Sequence, residues 1–114
     1  MKNTLLAITF TFVAMTYSQN VQAQNVAQSL CEYVSADDKS RFRSFLKTNK
    51  LKIRNVFDGV QCNGQNLLAF ASDKNALKTG ALMLGKLPRA KVEGLLATIT
   101  SPELTAAAQK RING

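Results

Sequence analysis

Apolar residues along most of this 114-residue chain recur at every third or fourth position, which is the spacing of one helical face. Residues 53–60 and 92–99 both carry apolar side chains at positions i, i+3, i+4 and i+7. Ile53 taken alone favours a strand, but the periodicity of its segment predicts a short helix, with Gly59 weakening its end. The apolar positions of the two segments are Ile53, Val56, Phe57, Val60, Val92, Leu95, Leu96 and Ile99.

Helix-end signals predict further short helices. Ser35, with Asp38 three residues on, resembles a capping box that opens a second helix. Asn63-Gly64 predicts a turn and a helix start, and Gly85 is expected to close the helix before it. Ser101-Pro102-Glu103 combines a cap, a proline at the first helical position and an acid near the positive helix end. These further helices are predicted at residues 25–34, 38–49, 65–72, 76–84 and 101–112.

The predicted fold is all-α, a small bundle or repeat-like array of about six short helices with one disulfide. Leu30, Leu67 and Leu104 follow one another at a constant spacing of 37 residues, within the range of helical repeat arrays. However, any small helical domain repeats amphipathic faces, and arrays need at least three copies where about two are visible. Both interpretations therefore stay open.

The first 23 residues have the organisation of a secretory signal peptide. Lys2 supplies the basic start, residues 5–15 an apolar stretch, and Val21-Gln22-Ala23 a cleavage site. The apolar stretch is too short for a membrane anchor, which needs about 20 apolar residues. We expect cleavage after Ala23 and a single helical domain at residues 24–114 that does not span a membrane and is periplasmic or secreted.

Charge narrows the class of partner. Without residues 1–23 the chain keeps 14 basic and 7 acidic residues, a formal net charge of +7. Such a balance favours anionic partners, namely an acidic protein or an anionic component of the cell envelope. Nucleic acid is disfavoured, because export limits access to it and base stacking would need exposed aromatic residues.

The chain contains two cysteines, Cys31 and Cys62, and no histidine. In an oxidising compartment an even count favours one disulfide, which would contribute about 3.5–4 kcal/mol to stability. Free thiols are the main alternative. Without histidine, Cys-His and Ser-His-Asp catalysis and the usual zinc sites are disfavoured, so we expect no catalytic residue, metal or cofactor.

A run of cations without acids occupies residues 39–54 and is the most distinctive chemical feature. Four of them lie at i, i+4, i+8 and i+11, which on a helix is an arc of roughly 80°. Such a stripe can bind an acidic surface, although it can equally be the solvated face of a basic protein. The candidate residues for an anionic partner are Lys39, Arg43, Lys47, Lys50 and Arg54.

Two resemblances follow from the central segment. NGQNLLAFASDKNALKTGALML resembles the turn and helix pair of an ankyrin-type repeat, with Asn63-Gly64 as the turn and 67–71 and 76–84 as the helices. The segment departs from that family by lacking a Thr-Pro-Leu-His core and by having Asn75 where glycine is usual.

A closer resemblance is to short exported bacterial proteins of unknown function. These share a signal peptide, a cysteine near the mature start, a basic helix and a central CNGQ-x-LL-x-FA segment. Here those features are Cys31, residues 38–49 and residues 62–71, and the likeness covers about residues 28–88. The resemblance implies a family and a location, but no activity and no functional residues.

The expected function is therefore that of a non-enzymatic interaction or structural module with a basic face for an acidic partner. A small enzyme or enzyme inhibitor, with a cleft that the sequence does not reveal, is the alternative.

Overall fold

A computed structural model describes residues 25–114, and the predicted signal peptide lies outside them. The described residues form seven α-helices and no extended strand, which confirms the all-α prediction. No helix among them is long and apolar enough to cross a membrane. The helices are α1 (25–35), α2 (Lys39–Thr48), α3 (Ile53–Val56), α4 (Leu67–Asp73), α5 (Leu77–Lys86), α6 (Arg89–Leu95) and α7 (Pro102–Asn113).

Helix α5 is at the centre of the fold, since it packs against α2, α3, α4 and α7. Gly80 allows α7 to approach it closely: a Cβ atom at this position would lie 2.7 Å from both methyl carbons of Leu104. Helix α4 is also deeply placed, with six consecutive buried residues from Leu67 to Ser72. The largest fully buried side chains come from six of the seven helices, from the 3₁₀ turn after α3 and from the residue after α5. They are Phe42, Phe57, Leu30, Leu67, Leu68, Met83, Leu84, Leu87, Leu104, Val34, Val92 and Thr79.

Three helices end at a residue with left-handed backbone that is not glycine. The residues are Asp37 after α1, Lys50 after α2 and Asn75 after α4, with φ between 51° and 55°. At each end the next amide donates to a carbonyl five residues back, closing the helix in a Schellman motif. The prediction that Ser35 caps α2 is therefore wrong, because α1 continues through it and Asp38 accepts from the Arg41 amide instead.

The predicted turn at Asn63-Gly64 is confirmed. Both residues have positive φ, 54° and 77°, as a type I′ turn requires. Cys62 and Gln65 exchange two backbone hydrogen bonds across it, of 2.8 and 3.0 Å. Because Gln65 is held in this bridge, α4 begins two residues later than predicted, and Asn66 caps it by accepting from the Ala69 amide at 2.8 Å.

The prediction that Gly85 closes its helix is wrong, since Gly85 lies inside α5. The helix ends one residue later, where Leu87 takes an extended conformation that the following Pro88 favours. The start of the last helix is confirmed: Ser101 accepts from the Leu104 amide, with proline at the first helical position.

The two segments with matching apolar patterns also match in conformation. Both are short α-helices that continue as a three-residue 3₁₀ turn, 57–59 and 96–98, and then become extended at Val60 and Ile99. Lys91, the residue before the second segment, forms a salt bridge to Asp58 of the first.

The leucines spaced by 37 residues, in contrast, do not occupy equivalent positions. Leu30 lies within α1, Leu67 is the first residue of α4 and Leu104 is the third residue of α7. All three side chains are buried in the core, each from a different position within its helix.

A basic groove as the candidate functional site

An open groove of about 780 Å³ lies on the surface formed by α2, the start of α3 and the end of α5. Residues three or four positions apart share one face of a helix, and α2 contributes such residues to the groove. Helix α5 contributes its last turn and a half. Residues 51–54 complete the wall, because the left-handed Lys50 turns the chain sharply between α2 and α3. We call this feature the basic groove.

Five cations surround the basic groove and all are exposed to solvent. No carboxylate is among the residues that line it. Both salt bridges found within residues 25–114, Arg41–Asp38 and Lys91–Asp58, involve other side chains. The positive charge of the groove is therefore not neutralised within the described fold; its cations are Arg43, Lys47, Lys52, Arg54 and Lys86.

The floor of the basic groove is apolar. Phe42 and Met83 are fully buried beneath it, and Leu46, Leu51 and Leu82 are only partly buried, so their outer atoms face the groove. Ile53 also contributes, and Ser40 and Ser44 are the remaining lining residues. A concave apolar floor within a ring of cations suits a ligand that is both anionic and apolar.

The predicted cationic stripe is only partly gathered at this site. Arg43, Lys47 and Arg54 line the groove, whereas Lys39 and Lys50 are exposed elsewhere on the surface. Two groove cations were not among the predicted residues, Lys52 and Lys86. Lys52 belongs to the same basic run, but Lys86 is 39 positions after Lys47 and reaches the site only through the packing of α5 against α2.

Two charged side chains from distant parts of the chain cap the ends of α5. The Asp37 carboxylate accepts from the backbone amides of Lys78 at 3.2 Å and Thr79 at 2.9 Å, and from the Thr79 hydroxyl at 3.1 Å. The Arg111 guanidinium donates to the carbonyl oxygens of Leu84 and Leu87, both at 3.1 Å.

Both caps have the sign that the helix dipole favours, an anion at the start and a cation at the end. They replace a local cap, because Ala76 at the start of α5 has no side chain that could accept a hydrogen bond. These contacts fix the ends of the helix that carries Leu82 and Lys86 into the groove.

The disulfide pairing is confirmed, with the Cα atoms of Cys31 and Cys62 5.8 Å apart. It joins α1 to the strand-like bridge before Asn63-Gly64, away from the residues that line the groove. Cys62 is buried, with 3% of its surface exposed. A disulfide is compatible with an extracellular protein. Across residues 25–114 no group of three or more cysteine, aspartate and glutamate side chains is arranged to hold a metal ion.

Residues 30–93, more than half of the chain, match a protein family described as "Protein of unknown function (DUF3718)". The chain belongs to the DUF3718 family. The match confirms the expectation of a family of unknown function, while the CNGQ-x-LL-x-FA motif and the ankyrin likeness stay predictions. No curated protein and no solved structure matches the chain.

The DUF3718 region contains every residue that lines the basic groove, together with both cysteines and Asp37. Helix α7, with Leu104 and Arg111, lies beyond its end. The groove is thus built within the part of the chain that defines the family, and α7 supports it from outside through α5.

Proposed function

We propose that this chain is an exported, non-enzymatic binding module that holds an acidic partner in its basic groove. The observation that carries the proposal is the concentration of five exposed cations around one concavity, with no acid lining it. On an ordinary solvated face, basic and acidic residues are interspersed, which limits the local potential. Here the cations converge from α2, the start of α3 and α5, so their fields add over the groove.

The chemistry of the lining residues supports binding rather than catalysis. The lining residues are cations, serines and apolar residues. General acids, general bases and activated nucleophiles are most often histidine, carboxylate or thiolate side chains, and none of these lines the groove. Arginine and lysine at a rim are instead suited to holding carboxylates or phosphates.

Export is supported by the N-terminal pattern of the sequence and by the disulfide, which persists best in an oxidising compartment. The intact mass of the protein isolated from the periplasm of an expressing bacterium tests this part. We expect a chain that begins at Gln24 and takes up no alkylating reagent until it is reduced. A chain that retains residues 1–23, or that has two freely alkylated thiols, would contradict export with a closed disulfide.

The groove is tested with two double charge reversals of equal size. Arg43→Glu with Lys47→Glu removes two groove cations, and Lys39→Glu with Lys50→Glu removes two cations of the same stripe outside the groove. Retention on immobilised poly-glutamate is measured as a function of salt concentration. We expect the groove variant to elute at much lower salt than the control variant, because its cations act together on one ligand.

Equal losses in both variants would mean that net charge alone causes retention, and the groove would have no special role. Unchanged retention of the Arg43→Glu, Lys47→Glu variant would refute the proposal outright. Urea unfolding of both variants is the control for folding, since all four side chains are exposed.

A further inference from the structure

We propose that the occupant of the basic groove is an acidic amphipathic helix of a partner protein. Its apolar face would contact Leu46, Leu51 and Leu82, and its carboxylates would meet the surrounding cations. This inference rests on the proposed function and names the form of the partner.

The apolar floor of the groove favours a partner that has an apolar face of its own. Charge alone would be satisfied by any polyanion, and a site built only for charge has no use for partly buried leucines at its centre. Leu46 and Leu51 come from the end of α2 and the segment after it, and Leu82 comes from α5, so three separate turns of backbone converge on the floor. Apolar contacts at the centre of a polar rim are the usual arrangement of a protein interface.

The backbone that surrounds the groove favours a helical partner. The groove residues belong to α2, α3 and α5 and the short segment between α2 and α3, without a strand edge to which an extended peptide could add. The ridges and grooves of two helices that pack together, as α2 and α5 do, accept a further helix. An amphipathic helix with apolar residues at i, i+3, i+4 and i+7 would present one continuous stripe to the floor.

The partial burial of the groove leucines favours a protein helix over an anionic membrane surface as the occupant. A protein face that binds bilayers presents its apolar side chains outward, so that they enter the lipid between the cations. In the basic groove the three leucines are partly buried, whereas all five cations are exposed. A flat bilayer would reach the cations without reaching Leu82, whereas a convex helix reaches both.

Two synthetic peptides of about five helical turns test the proposal with the disulfide-bonded protein. The first carries leucines at i, i+3, i+4 and i+7 and glutamates on the rest of its surface. The second has the same glutamates with alanine in place of each leucine, which keeps the helix and the charge. Fluorescence anisotropy of the labelled peptides gives the two dissociation constants. We expect the leucine peptide to bind at least about tenfold more tightly.

Two variants of the protein test where the leucine peptide makes its contact. Leu82→Ala should weaken binding of the leucine peptide several-fold, roughly the loss of one apolar anchor, and leave binding of the alanine peptide unchanged. Leu77→Ala is the matched control, because Leu77 is also a partly buried leucine of α5 but does not line the groove. Urea unfolding checks that both variants are folded; should Leu82→Ala not fold, the comparison of the two peptides on the unmodified protein decides.

The outcomes distinguish this inference from the function on which it rests. Equal binding of both peptides, abolished by Arg43→Glu with Lys47→Glu, would overturn the helix proposal and leave the acidic-partner function standing. Binding of neither peptide would also overturn the helix proposal, and retention on poly-glutamate would then decide the function separately. Tight binding to vesicles of equal parts phosphatidylglycerol and phosphatidylcholine, without preference for the leucine peptide, would assign the groove to an anionic lipid surface instead.

Discussion

Two regions that share helix α5 use their charged side chains differently. In the framework around α5, which comprises the Cys31–Cys62 disulfide, the Asp37 and Arg111 caps and the Gly80–Leu104 contact, each group has a partner within the fold. In the basic groove, five exposed cations take part in neither salt bridge of the described residues. The framework residues therefore have a role in stabilising the fold, whereas folding does not explain the groove cations.

This difference predicts that substitutions in the framework change stability and those in the groove change binding. Four sets of substitutions test that division, and their expected effects on the free energy of unfolding decrease from the disulfide to the groove cations.

Replacing both cysteines by serine should have the largest effect. The disulfide joins residues that are 31 positions apart, and the loop-closure model gives a loss of about 3.5–4 kcal/mol. Urea unfolding of Cys31→Ser with Cys62→Ser measures the loss, and the reduced unmodified protein should match it. Peptide binding by the fraction that stays folded should be unchanged, because neither cysteine lines the groove. A loss below about 1 kcal/mol would show that the disulfide is not a main part of the framework.

Replacing Asp37 by alanine should have the next largest effect. The substitution leaves two amides and the hydroxyl of the fully buried Thr79 without their acceptor, at a cost of about 2–3 kcal/mol. Asp38→Ala is the matched control, because Asp38 caps only its own helix, and it should cost about 1 kcal/mol. Equal losses in the two variants by urea unfolding would contradict the importance of the long-range cap.

The glycines of α5 should respond to the same substitution with opposite signs. Gly80→Ala places a methyl group against Leu104 and should destabilise by about 1 kcal/mol, the cost of overpacking less the gain in helix propensity. Gly85→Ala, with no atom within 4 Å of the new Cβ, should stabilise by about 0.5–1 kcal/mol.

Thermal unfolding of the Gly80→Ala and Gly85→Ala variants shows whether each substitution lowers or raises the stability. The double variant Gly80→Ala with Leu104→Ala should lose less stability than the sum of its two single changes, since removing the leucine methyls makes room for the new Cβ. Additive losses would show that the close approach of α5 and α7 is not the reason why position 80 requires glycine.

Removing groove cations should have the smallest effect on stability. Lys52→Gln with Arg54→Gln changes two exposed side chains and should alter the free energy of unfolding by no more than about 0.5 kcal/mol. The same variant should elute from poly-glutamate at clearly lower salt than the unmodified protein. A large destabilisation with unchanged retention would reverse the division between framework and groove.

Most helices were predictable because their signals are local. The i, i+3, i+4, i+7 pattern located the helical segments of α3 and α6, although not their change to 3₁₀ turns. Asn63-Gly64 specified a turn that needs positive φ at both residues. The disulfide was predictable because only two cysteines are available to pair.

The features that were missed depend on contacts between distant residues. Nothing near Asp37 in the sequence indicates that its carboxylate caps a helix 41 and 42 positions further on. Lys86 and Leu82 likewise join the groove only because α5 packs against α2. Gly85 was misassigned because glycine is permitted inside a helix and only favoured after its end.

The pair of caps on α5 also bears on how the molecule unfolds. Helix ends usually fray, and their amides are the first to exchange with solvent. In α5 the first turn is held by a residue from the α1–α2 turn and the last turn by a residue from α7. The central helix therefore cannot open at either end without releasing a distant segment, which links early and late parts of the chain into one cooperative unit.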